Sequence, residues 1–206
     1  MFRQPVSIAK ITRPKITRFI PRKRLFKLLD TCRRYPITWI SGPAGSGKTI
    51  LAASYLEVRK VPCLWYQVDE RDADIATFFY YMGMAAKKAA PRKRKPLPLL
   101  TPEYSAGIPA FTRTYFEGLY SRLHPSLPLL EKRGKKEGFI IVFDNYQDVP
   151  LSSGFHEMIS HGLDIIPQGI NVFILSRGQP PRPLIRFCAN NKVHFLGWNE
   201  IRFTLE

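Results

Sequence analysis

Eight consecutive residues, Gly42-Pro43-Ala44-Gly45-Ser46-Gly47-Lys48-Thr49, combine three glycines, a lysine and a hydroxyl at the spacing G-x-x-x-x-G-K-[ST]. Glycines at these points let main-chain N–H groups close around a phosphate at the start of a helix, whose dipole favours negative charge. At this spacing Lys48 would reach the distal phosphates and the Thr49 hydroxyl would be a ligand of Mg²⁺. A second set lies far along the chain, where Phe139-Ile140-Ile141-Val142-Phe143 runs into Asp144-Asn145. Four hydrophobic residues before an acid fit a strand whose terminal carboxylate, Asp144, holds the metal from the far side. Arg177, after Asn171-Val172-Phe173-Ile174-Leu175-Ser176, ends another strand-like run; it reads either as a γ-phosphate contact or as a surface strand end.

These residues need a frame that brings them together. Before the glycine-rich loop, Ile37-Thr38-Trp39-Ile40-Ser41 is β-rich, and residues 50–56 after it form a helix-like run. Residues 62–68, 139–143, 171–175 and 193–196 supply four more strand candidates. The 139–143 run does not alternate, so it predicts a strand covered on both faces, as in a parallel sheet. Helical spacing is read after Pro21 through Leu25, Phe26, Leu28 and Leu29, after Asp74 as a cap, from 111 to 123, and from 158 to 166. Residues 180–186 hold too many prolines for a convincing lid helix over a second substrate. Residues 1–21 read as extended, because Pro5, Pro14 and Pro21 oppose helix. The expectation is therefore an α/β fold with a mainly parallel five-stranded sheet flanked by helices. Residues 1–36 form an N-terminal segment with the first helix, and residues 37–206 the nucleotide-binding part.

Composition narrows the partners. The chain has 206 residues, of which 45% are hydrophobic, which suits a globular protein. Lys and Arg number 32 against 16 Asp and Glu, a formal charge of +16 that attracts polyanions in general. Residues 87–102, with Lys87, Lys88, Arg92, Lys93, Arg94 and Lys95 among prolines, read either as a solvated loop or as a polyanion-binding patch. Cys32, Cys63 and Cys188 are scattered singly, as suits reduced thiols in a cytoplasmic protein. The four histidines suggest no metal set. No apolar run approaches a membrane-spanning length.

Taken together, the motifs resemble the ATPase domain of MalT-like signal-transduction ATPases, STAND proteins that include many LuxR-type transcription regulators. The resemblance covers Thr12-Arg13-Pro14, Ile20-Pro21-Arg22-Lys23-Arg24-Leu25 and the loop 42–49. It continues through Trp65-Tyr66-Gln67-Val68-Asp69-Glu70-Arg71-Asp72, Val142-Phe143-Asp144-Asn145-Tyr146, Leu175-Ser176-Arg177 and Phe203-Thr204-Leu205-Glu206. It implies a P-loop, AAA-like fold whose fourth strand lies between the first and third, so that Lys48, Asp144 and Arg177 converge. It further implies ATP or ADP with Mg²⁺ on residues 42–49, and the nucleotide lying against residues 19–22, including Ile20 and Arg22. By the same resemblance the domain is a switch that rests with ADP and self-associates with ATP. Sensor and DNA-binding parts would lie beyond residue 206, about where a winged-helix domain would begin. In the family a second acid usually follows the aspartate; here it is Asn145, which cannot take a proton from water, so hydrolysis should be weak unless Asp148 substitutes. Lys23 stands where an acid is more usual, and residues 87–95 look like an insertion. The alternative reading is a P-loop ATPase that acts on nucleic acid through the basic loop.

Overall fold

The computed structural model describes residues 8–93, 95–124 and 138–202. Predictions for residues 1–7, Arg94 and the terminal 203–206 lie outside that set.

Five strands, β1 (Ile37–Ser41), β2 (Cys63–Gln67), β3 (Phe139–Asp144), β4 (Ile170–Ser176) and β5 (Val193–Leu196), form one sheet in the order β2-β3-β4-β1-β5. Every pairing is parallel. Among the described residues seven α-helices connect and cover them: α1 (Lys23–Cys32), α2 (Lys48–Arg59), α3 (Ile75–Ala89), α4 (Ile108–Leu123), α5 (Phe155–Leu163), α6 (Arg182–Ala189) and the single-turn α7 (Trp198–Ile201).

β3 and β4 are buried along their whole lengths, as the unbroken apolar run predicts. Successive side chains divide between two cores. Ile141, Phe143, Val172 and Ile174 join α3, α4, α5 and α6 on one face. Ile140, Val142, Phe173 and Leu175 join α1, α2 and α7 on the other. This is the period-2 alternation of a strand expressed with both faces apolar. The first core is dense in aromatic rings: Phe78 lies edge-on to Tyr66, Phe79 and Phe155.

Local signals place the helices. Both Asp74 carboxylate oxygens accept N–H groups of the first turn of α3, from Ala76 and Thr77, a side-chain cap of the usual kind. α3 runs on to Ala89, so Lys87 and Lys88 belong to its last turn and not to a loop. The sequence reading assigns no helix to residues 180–186, yet α6 begins there. Pro181 is its cap and Pro183 sits in its first turn, where a missing N–H breaks no helical bond. Leu184 and Phe187 bury that helix against the core, so it is no free lid.

At the sheet's β2 edge the chain before α1 lies close by. Ile11 is buried in the first core. Lys10 Nζ reaches Asp72 at 2.8 Å and Asp69 at 2.7 Å, beneath which Tyr66 donates to Asp72 at 2.7 Å. Lys88 donates to the Ile11 carbonyl and the Thr12 hydroxyl.

Candidate functional site

The carboxyl ends of β1, β3 and β4 are neighbours, and the functional candidates sit there. Between Ser41 and Lys48 the chain makes a tight loop in which Gly45 (φ +74°) and Gly47 (φ +81°) adopt left-handed conformations that side chains disfavour. Gly42 is needed for closeness: a Cβ there would stand 2.9 Å from Ile201 Cδ1 and 3.0 Å from Ser46 Oγ. α2 then starts with Gly47 as its cap, so no side chain caps its first turn, and that turn carries no acid. Its N–H groups present a positive end to the loop.

Lys48 folds back over this loop, donating to the carbonyls of Gly42 (2.7 Å) and Pro43 (2.9 Å) and to Ser46 Oγ (3.0 Å). Burial and the nearby Arg177 charge lower its pKa, against the pull of Asp144. The Thr49 hydroxyl donates to Asp144 Oδ1 at 3.0 Å, and the Asn145 N–H donates to the same oxygen at 3.0 Å. Asp144 is only 5% exposed. Burial raises its pKa, opposed by those two hydrogen bonds and by the Lys48 charge. Its Oδ2 has no hydrogen bond among the described residues. One hydroxyl and one such carboxylate, side by side, are oxygen donors of the kind Mg²⁺ takes. The set fits that ion, which would neutralise charge on a bound polyphosphate.

A cavity of about 270 Å³ opens here, lined by residues 44–50 with Asn145, Gln147 and Arg177. It brings together the loop, β3's end and β4's end. Two cations, Lys48 and Arg177, line it, and neither forms an ion pair within 4.0 Å among the described residues. A larger open trough, about 570 Å³, runs along Lys23, Arg24, Lys27, Leu28 and Thr31. With one helix as its only wall, it has nothing convergent to hold a small ligand, whereas the smaller cavity gathers the candidate residues.

Ile20 and Arg22 are not part of that lining. Ile20 is 83% exposed. The Arg22 guanidinium donates to the carbonyls of Ile201 and Arg202, which ties the segment before α1 to α7. Asp148, the possible substitute for a second acid, is exposed and accepts from the Gln147 amide at 2.8 Å. Gln147 is the residue that sequence reasoning missed. Its side-chain oxygen accepts the Arg177 N–H at 3.0 Å. Nothing in its spacing marks it, because it is brought round by Asn145, which takes a left-handed conformation (φ 58°, ψ 38°) that asparagine tolerates.

No protein-family model matches the chain. It does align with HTH-type transcriptional regulator MalT proteins. That of Vibrio campbellii is 28% identical over 174 residues, which is 84% of this chain and 18% of that one. That of Serratia proteamaculans is 24% identical over 197 residues, 95% of this chain and 20% of that one. This chain is a distant homologue of part of MalT. It spans about one fifth of the length of those relatives. Among solved structures, a chain of Drosophila ORC bound to AT-rich DNA and Cdc6 covers 86% of this MalT-like chain and 53% of its own length, with TM-score 0.50 and 10% identity. The Aeropyrum pernix ORC1 protein in complex with DNA covers 85% and 43%, with TM-score 0.49 and 17% identity. At such identity the Drosophila likeness speaks for the fold alone, a parallel α/β sheet flanked by helices. No helix among the described residues is long and apolar enough to cross a membrane.

Proposed function

We propose that this MalT-like chain binds ATP and ADP with Mg²⁺ and serves as the nucleotide-dependent switch of a transcription regulator. The observation that carries this reading is the pair of cations, Lys48 and Arg177, on one cavity beside the uncapped first turn of α2. Clustered positive groups without ion-paired acids call for an anion, and a glycine loop at a helix start suits a phosphate chain. Residues 42–49 would cradle the phosphates. Thr49 and Asp144 would hold the ion, and Arg177 would meet the distal phosphate. The exposed Ile20 supports an adenine contact on the segment before α1, with Arg22 holding that segment to α7. Hydrolysis would be slow or absent, since Asn145 has no basic oxygen to take a proton and Asp148 lies outside the cavity lining. Exchange of ADP for ATP would then act as a signal permitting self-association in the cytoplasm. DNA would be contacted by other parts of a longer regulator.

The test is Lys48→Ala. Fluorescent ATP and ADP should bind roughly 10- to 100-fold more weakly, as expected for the loss of charge-assisted hydrogen bonds worth about 1.5–3 kcal/mol, while the thermal midpoint stays put. Equal binding by the variant would overturn the assignment. Denaturing the purified wild-type protein and identifying any released nucleotide gives a second readout, for which ADP is expected.

A further inference from the structure

The main chain at Arg177 and Gly178 is held from two sides, by the turn after β3 and by β1. On one side the Gln147 amide oxygen accepts the Arg177 main-chain N–H at 3.0 Å, and its amide nitrogen donates to Asp148 Oδ1 at 2.8 Å. An acceptor facing N–H and a donor facing a carboxylate leave the amide one sensible orientation. On the other side the Trp39 indole N–H donates to the Gly178 carbonyl at 3.0 Å. Trp39 itself is braced edge-on by the buried Tyr146, at 5.5 Å and 75°. The three-residue turn Tyr146–Asp148 after β3 therefore sets the main chain at the end of β4 twice, once through Gln147 and once through Tyr146 and Trp39.

Gln147 and Arg177 also line the same cavity as residues 44–50. A phosphate chain cradled by the loop would carry its last phosphate into the cavity that Arg177 lines. We infer that Gln147 is a positioning residue that aims Arg177 at the terminal phosphate and so gives the site its preference for a nucleoside triphosphate over a diphosphate. The inference deepens the nucleotide reading above and rests on it. Lys48, fixed to the loop's own carbonyls, serves both ligands. Arg177 serves only the longer one, and its aim depends on a main chain that Gln147 fixes.

The experiment is a double-mutant cycle, Gln147→Ala, Arg177→Ala and both together, titrated separately with ATP and ADP. Gln147→Ala should weaken ATP by roughly 3- to 10-fold, the worth of one hydrogen bond, and leave ADP binding unchanged. In the Arg177→Ala background it should have no further effect, since the two act as a unit. A purely structural role would lower both affinities and the thermal midpoint together. Equal losses for ATP and ADP, no loss at all, or losses that add across the cycle would overturn the proposal. A wild-type chain that bound neither nucleotide would instead remove the nucleotide reading itself, and this proposal with it.

Discussion

Asp144 and His156 are both buried, and burial moves their protons in opposite directions. His156 sits between the Tyr146 hydroxyl (3.2 Å, at Nδ1) and the Pro150 carbonyl (3.0 Å, at Nε2), a pair of partners that a neutral imidazole satisfies with one acceptor and one donor nitrogen. Burial lowers its pKa from the ordinary 6.5. The unfolded chain thus takes up a proton near 6.5 that the folded chain refuses, so this stabilisation is complete above 6.5 and is lost as pH falls below it. Asp144 has the opposite sign, because its folded form takes a proton before the unfolded one does. Urea midpoints should fall between about pH 7.5 and pH 5.5, and His156→Gln should flatten that slope; an unchanged slope in the variant would refute the assignment. At this scale the sequence is uneven. The meeting of Thr49 and Asp144 at one end of the sheet is legible, because the glycine-rich spacing marks the first and an apolar run ending in an acid marks the second. Gln147 is not, because its place depends on one left-handed asparagine that no local pattern announces.

Between α4 and α5 the spacing is set by an absent side chain. A Cβ on Gly162 would come within 2.6 Å of ring carbons of Phe116, and the Gly162 carbonyl accepts the Tyr120 hydroxyl at 2.9 Å. Gly162→Ala should gain about 1 kcal/mol in helix propensity but force the helices apart at a cost of about 1–3 kcal/mol. Urea unfolding should show net destabilisation, with nucleotide affinity kept because this contact lies in the core that faces away from α2. A more stable variant would mean that the ring moves aside freely. Elements follow from sequence where one force dominates. β3 and β4 are read correctly because burial on both faces demands unbroken apolar runs. α5 is found at Phe155–Leu163, three residues earlier than its apolar spacing suggests. α6 is missed because prolines that forbid a helix interior are harmless at its start.

The whole molecule carries its charge unevenly. Residues 13–34 hold nine Lys and Arg and one acid, Asp30, and that acid is engaged by Arg59. Like charges this close repel in the folded state more than in an expanded chain, and salt screens them. Adding potassium chloride from low ionic strength should therefore raise the thermal midpoint; a midpoint that falls would mean the surface ion pairs outweigh the repulsion. Strand order is the feature least legible from residues alone. Apolar runs announce five strands, but only the family resemblance places the fourth between the first and third, since order is decided by how helices cross over the sheet. The segment around Lys10 and Ile11 has its own bearing at this scale. β2 is an outermost strand, and a bare outermost strand offers unpaired main-chain groups to any passing polypeptide. Bolted down by Lys10 on Asp72 and by Lys88 on the Ile11 carbonyl, that segment works as a bumper along the rim, and trimming it should lay the edge open to strand-to-strand clumping.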